Sequence, residues 1–253
     1  MSARPPALIA HRGYAGRYPE NTRPALEAAL RAGVRYLEVD VQLTADGVPV
    51  LLHDAELART TGVAGRITET RFAAVQRLRA GEPARLGPRF RDTPLPALTE
   101  LVGLLAAWPA AQVFVELKRD SLDAFGIEAV VARVLEILAP RLERCIVISF
   151  AEDALAHARA AGAPRIGWVV SAWNEAQRAI AAALAPDYLF CNYTKIPDPD
   201  TPLWPGPWRW AFYEVSDPTV ALALARRGAA LIETMALEAY AVPPWSLRIG
   251  DDG

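Results

Sequence analysis

The chain reads as an α/β protein, a (β/α)8 TIM barrel, and three observations predict it. Short apolar runs alternate with helix-period stretches from end to end, the pattern of a parallel sheet. Eight of those runs read as parallel strands, enough to close a barrel. At 253 residues the chain also has the length of one such barrel. Residues 1–253 are therefore expected to form a single domain.

The elements follow in order. The first strand is Leu8–His11, leading into His11-Arg12-Gly13. A helix comes next, with Thr22 at its N-cap, Pro24 in its first turn, Leu26, Ala29 and Leu30 on its apolar face, and Gly33 ending it. Tyr36–Asp40 is the second strand. Only Thr44-Ala45-Asp46-Gly47 then precedes the apolar arm Val48–His53. So short a link holds no crossover helix, so the two arms form an antiparallel hairpin, with Asp46-Gly47 as its turn. The hairpin returns His53 to the level of Glu38 and Asp40. Residues 54–96 have weak periodicity and read as a small loop-and-helix cap inserted beside the barrel mouth.

Beyond the cap, helices are expected over Leu98–Trp108, Ala124–Leu138, Ala151–Ala161, Asn174–Leu184 and Pro218–Arg227, with Gly162 and Gly228 placed as C-terminal glycines. Strands are expected over Val113–Lys118, Cys145–Phe150, Ile166–Val170, Tyr188–Asn192, Ala211–Val215 and Ala230–Glu233. The stretch 197–210 is dense in proline and carries Trp204, Trp208 and Trp210. It reads as a packed loop, or as an apolar rim for a lipid-like substrate.

Composition bounds the partners. A formal net charge of −2 offers nucleic acid no electrostatic attraction. No segment has the uninterrupted apolar length of a transmembrane span. The start, Met1-Ser2-Ala3-Arg4-Pro5-Pro6, runs directly into the first strand without a signal-peptide pattern, so a cytoplasmic address is expected. There Cys145 and Cys191 would be reduced core residues.

Side chains alternate faces along a strand, so Glu38 and Asp40 share one face, and Glu116 and Lys118 share one face. If both pairs face the mouth, three carboxylates converge. Two carboxylates 4 Å apart repel by roughly 4 kcal/mol at an effective dielectric of 20. Such a cluster calls for protons or a cation, and oxygen ligands favour Mg²⁺ or Ca²⁺ over zinc. His11 and His53 suit phosphodiester cleavage, which needs one group to take a proton and another to give one. Arg12 can fork onto a phosphate and Lys118 can supply a point charge. His157 falls on a helix and reads as a bystander.

His11-Arg12-Gly13, Pro19-Glu20-Asn21-Thr22, Glu38-Val39-Asp40, His53-Asp54 and Glu116-Leu117-Lys118 together resemble the glycerophosphodiester phosphodiesterase family. Arg59-Thr60-Thr61, Gly65-Arg66-Ile67, Pro94-Leu95-Pro96-Ala97-Leu98 and Ile148-Ser149-Phe150 extend the resemblance over nearly the whole chain. It implies a barrel like that of the phosphoinositide phospholipases C. It also implies metal-dependent hydrolysis of glycerophosphodiesters to glycerol 3-phosphate and an alcohol. By position, Glu38, Asp40 and Glu116 would bind one divalent cation, Mg²⁺ or Ca²⁺. His11 and His53 would be the acid–base pair, and Arg12, Lys118, Glu20 and Asn21 would contact substrate.

The C-terminal third departs from the family. Tyr213-Glu214-Val215-Ser216 stands where Trp-Thr-Val-Asn is usual, and Glu233-Thr234 where Thr-Asp is usual. These changes add negative charge if they face inward, and they bear on the substrate more than on the reaction. Two other readings fit the same residues: a related phosphodiesterase with another substrate, such as a lysophospholipase D, and a non-catalytic barrel that binds a phosphorylated ligand.

Overall fold

The computed structural model describes residues 4–249; Met1–Ala3, at the start of the segment read for its address, lie outside them. The strands are β1 (Ala7–Ala10), β2 (Tyr36–Leu43), β3 (Pro49–Leu51), β4 (Gln112–Leu117), β5 (Cys145–Ser149), β6 (Ile166–Val170), β7 (Tyr188–Asn192), β8 (Arg209–Tyr213) and β9 (Ala229–Thr234). Their order is β1-β9-β8-β7-β6-β5-β4-β2, and β1 pairs with β2 to close the circle. Eight parallel strands thus form the expected barrel, with β3 outside it, antiparallel to β2 and bridged at Val50 to Ala97.

Strand alternation sorts the side chains into two layers. Ile9, Phe114, Ile148, Val169 and Phe190 belong to the cluster inside the barrel. Leu37, Val39, Val41, Val113 and Val147 face outward, in the larger cluster beneath the helices. Phe114 sits edge-on to Tyr188 and Phe190, with ring centroids 5.0 Å apart in both pairs. These rings fill the barrel interior. The polar chemistry is left to the C-terminal strand ends.

The hairpin turn is closed by its own side chains. Thr44 Oγ1 donates to Asp46 Oδ1 at 2.8 Å and accepts from Val48 N at 3.0 Å. Gly47 adopts φ +73°, as the tight return requires. The cap over 54–96 contains short helices at Ala58–Thr61, Phe72–Val75 and Pro83–Leu86. Its Leu57, Ile67, Val75 and Leu95 pack around Val50 and Leu52 of the hairpin, forming a small core of their own. The cap is therefore seated on the hairpin that carries His53.

One local expectation needs correction, and two are made more specific. Thr22 occupies the N-cap of helix Arg23–Arg31, but its hydroxyl donates back to Pro19 O at 2.6 Å and makes no capping bond. The helix expected over Ala124–Leu138 is two helices, Arg119–Phe125 and Ile127–Leu138. Gly126 between them has φ +83°, a conformation that no α-helix continues through. Trp204, Trp208 and Trp210 are 7, 8 and 5 % exposed, and Trp173 packs on Trp204 at 4.4 Å. The 197–210 stretch is thus a packed loop and presents no tryptophan rim.

Cys145 and Cys191 are free and buried, and burial pushes both thiols up to about 12. Among the described residues, no helix is long and apolar enough to cross a membrane.

Candidate active site

The site begins where β1 ends. The chain turns sharply through Arg12 at φ +56° and Gly13 at φ +76°. A Cβ on Gly13 would lie 2.7 Å from the backbone carbon of Ala25, so only glycine lets the loop press against the following helix. The turn leaves His11 at the mouth and directs the Arg12 backbone N–H to Glu38 Oε2 at 3.0 Å.

Glu38 and Asp40 come from β2 and Glu116 from β4, with Asp40 and Glu116 in register. The three residues are 1, 0 and 9 % exposed. One ligand oxygen from each lies within 4.8 Å of the others, an arrangement that can hold a metal ion. Cations surround them. Lys118 Nζ lies 2.8 Å from Glu116 Oε1 and 3.2 Å from Asp40 Oδ1, and Arg12 Nε lies 3.2 Å from Asp40 Oδ2. Asn21 closes the ring, donating from Nδ2 to Asp40 Oδ2 at 2.8 Å and accepting from Asp40 N at 3.0 Å.

These partners do not satisfy every oxygen. Glu38 Oε1 and Asp40 Oδ1 are buried without a hydrogen-bond partner among the described residues, and Lys118 meets Asp40 Oδ1 only as an ion pair. An unsatisfied buried acceptor costs about 1–3 kcal/mol, more if charged. Two such oxygens beside a third carboxylate fit a hard divalent cation. The acids also titrate apart. Burial works against ionised Asp40, but Lys118 and Arg12 outweigh it and hold its carboxyl well below the usual range. Burial, then the neighbouring Asp40, pushes Glu38 well upward. Glu116 is raised by burial and Asp40, against the pull of Lys118.

The two histidines are mounted differently. His11 Nδ1 donates to Glu214 Oε2 at 2.5 Å, and its Nε2 stands 3.9 Å from Glu38 Oε2. His53 Nδ1 donates to Asp54 Oδ1 at 2.7 Å. Asp54 Oδ2 accepts from Arg59 Nε at 2.5 Å, and Arg59 forks onto Glu20 at 2.8 and 2.6 Å. Glu20 Oε1 also takes Arg12 Nη1 at 3.2 Å. A chain of charge-assisted hydrogen bonds therefore runs from His53 through Asp54, Arg59 and Glu20 to Arg12, whose Nε meets Asp40 as an ion pair. Gln42 braces it, donating to the His53 carbonyl at 3.2 Å.

His11, Arg12, His53, Glu116 and Lys118 line one cleft of about 100 Å³, whose far wall includes Ile148, Phe150 and Tyr213. Glu38 and Asp40 lie beneath it. Glu20 and Asn21, grouped with substrate contacts in the sequence, are turned inward at 7 and 1 % exposure. Their polar atoms are engaged by Arg12, Arg59 and Asp40. His157 lies on helix Glu152–Ala160, away from the cleft.

Glu233 and Glu214 were flagged in the sequence only as added charge. Glu233 joins the cleft lining, and one of its oxygens can group with ligand atoms of His11 and Glu38 within 4.8 Å. Strand parity could have found it, because Glu233 is in register with Ile9 on the inner face. Glu214 lies beyond the end of β8, where no periodicity points.

Burial opposes the charge of His11, but Glu233, the bond to Glu214 and Glu38 raise it to about 10. Burial raises Glu233 to about 7, against the pull of His11. Both groups bind protons more tightly folded than unfolded, so their contribution is complete at low pH and is lost as pH rises. In metal-free protein, Glu233 should lose its share between its ordinary carboxyl range and about pH 7, and His11 between its ordinary range and about pH 10. Urea unfolding across that interval should give a falling stability, less steep in Glu233→Gln below pH 7. A flat profile would contradict these assignments.

An eight-stranded parallel barrel with carboxylates, imidazoles and cations converging at its C-terminal mouth has the architecture and site placement seen in TIM-barrel enzymes. The model of the glycerophosphoryl diester phosphodiesterase family matches residues 11–196, and the chain belongs to that family. It is 42% identical over 96 residues to glycerophosphodiester phosphodiesterase 1 of Rattus norvegicus, covering 38% of this chain and 29% of the rat protein. It is 32% identical over 188 residues to a glycerophosphodiester phosphodiesterase of Caldanaerobacter subterraneus subsp. tengcongensis, covering 72% of this chain and 75% of that one. A phosphodiesterase of Oleispira antarctica, solved with the product sn-glycerol-3-phosphate, superposes with a TM-score of 0.79 at 27% identity, over 92% of this chain and 94% of that one.

Proposed function

We propose that this chain hydrolyses glycerophosphodiesters to glycerol 3-phosphate and an alcohol, using one divalent cation, Mg²⁺ or Ca²⁺. The observation that carries the reading is the meeting of Glu38, Asp40 and Glu116, two of them with partnerless buried oxygens, beside His11, His53, Arg12 and Lys118. The named activities of its relatives support it. Residues 1–253 are read as one barrel domain with residues 54–96 as its cap, and a cytoplasmic address belongs to the same reading.

Glu38, Asp40 and Glu116 would hold the cation. When bound, it would ease ionisation of an attacking hydroxyl and offset the negative charge that develops at phosphorus. One imidazole of the pair takes the proton of a glycerol hydroxyl as that oxygen attacks phosphorus, and the other gives a proton to the departing alcohol. In the second step the roles reverse: water attacks the cyclic phosphate, and the ring oxygen leaves protonated. Lys118 donates one N–H to Glu116 and meets Asp40 as an ion pair, which leaves donor capacity for a phosphate oxygen. Arg12 lines the same cleft as a second phosphate contact. Glu20 and Asn21 act indirectly, by holding Arg12, Arg59 and Asp40 in place. The packed tryptophans offer no support for a lysolipid rim.

The test is release of glycerol 3-phosphate from glycerophosphocholine and glycerophosphoethanolamine, after metal removal and again with Mg²⁺ or Ca²⁺ restored. Metal-dependent release is expected. Binding of glycerol 3-phosphate without turnover of either diester would instead favour the non-catalytic barrel.

A further inference from the structure

Glu214 is committed in two directions. Its Oε2 accepts from His11 Nδ1 at 2.5 Å, and its Oε1 accepts from the backbone N–H of Met235, also at 2.5 Å. The next residue is held on both sides: Val215 N donates to Glu233 O at 3.1 Å, and Tyr240 Oη donates to Val215 O at 2.8 Å. The carboxylate thus links the end of β8 to the turn after β9 and presents a fixed acceptor to His11, 203 residues away in sequence.

The partner of one imidazole nitrogen decides the state of the other. With the Nδ1 proton engaged by Glu214, Nε2 is the nitrogen left facing the mouth, on the side of Glu38. His53 is backed in the same way, its Nδ1 against Asp54. The two imidazoles of the cleft therefore share one arrangement, built from a neighbour in sequence for His53 and from a distant loop for His11.

We propose that Glu214 is a positioning residue for His11, holding its ring orientation and its Nδ1 proton so that Nε2 is the nitrogen presented to substrate. The catalytic consequence rests on reading His11 as a proton-transfer group; the contact itself can be tested separately. Only a carboxylate serves both N–H donors. An amide of the same shape offers one oxygen and one NH₂. Glu214→Gln must therefore either strand Met235 N–H or turn a donor toward His11, which favours the opposite tautomer.

The experiment is proton–nitrogen NMR on the full chain labelled at its three histidines, with steady-state kinetics on glycerophosphocholine for wild type, Glu214→Gln and Glu214→Ala. His11 signals are identified by their loss in His11→Ala. The wild type should show a far-downfield, slowly exchanging Nδ1–H proton on His11, absent in both Glu214 variants. Their kcat should fall about 10–100-fold, with KM little changed. Glu214→Gln should melt somewhat below the wild type but stay fully folded at assay temperature, with unchanged far-UV circular dichroism, separating positioning from folding. An unchanged Nδ1–H signal in either variant, or full kcat in Glu214→Gln, would overturn the proposal. A wild type that turns over no diester would sink the hydrolase reading, while the NMR signal would still decide the Glu214–His11 contact.

Discussion

Replacing His53 with alanine is expected to lower kcat for glycerol 3-phosphate release by about 10²–10⁴-fold, the usual contribution of a positioned acid–base group. KM and the far-UV circular dichroism should stay close to wild type. His53 is a clean site for this test because its side chain is 32 % exposed and its partner Asp54 keeps the bond to Arg59 without it. Combining His53→Ala with His11→Ala should add little to either single loss if the two imidazoles serve one proton-transfer sequence. A His53→Ala enzyme with near-wild-type kcat would remove this residue from the chemistry.

The second large effect is on stability. Adding Mg²⁺ or Ca²⁺ to stripped protein, at about 100 times its Kd, should stabilise the fold by about 2.7 kcal/mol. For a chain of this size that corresponds to a rise in Tm of roughly 5–11 °C. Glu38→Gln should abolish the rise. The same variant, free of metal, should melt at or above wild type, because it removes a buried carboxylate that burial and Asp40 already disfavour as an anion. Differential scanning calorimetry with and without cation reads both effects. An equal rise in wild type and Glu38→Gln would place the cation elsewhere.

Much of this architecture is legible in the sequence because strand periodicity is strict. One alternation rule turns Glu38, Asp40 and Glu116 inward and Val39 and Leu117 outward, as found. Asp46-Gly47 announced the hairpin that returns His53 to the mouth. What escaped has equally physical reasons. Four-residue helices such as Phe72–Val75 are too short to show a period. Gly126 stands in the sequence, but the apolar run around it continues and masks the break. Asn21 and Glu20 sit in a motif that suggested substrate, yet their side chains complete an internal network whose other members lie 19 and 39 residues away. Glu214 could not be paired with His11 by any local rule, since the contact exists only once the barrel has closed.

The seating of the cap on the hairpin has a consequence for how this fold can change. The acids, His11 and Lys118 are carried by or directly follow strands that hydrogen-bond on both sides around a closed circle. His53 instead follows β3, which lies outside that circle, pairs with β2 and the 96–97 segment, and packs beneath residues of the 54–96 insertion. On the proposed mechanism, half of the proton-transfer apparatus is thus mounted on an appendage. A descendant that lost or remodelled the insertion would keep an intact barrel, a cation site and a phosphate cradle, but no longer a complete acid–base pair. Such a protein would be a sensor or carrier of phosphodiesters, one deletion removed from an enzyme.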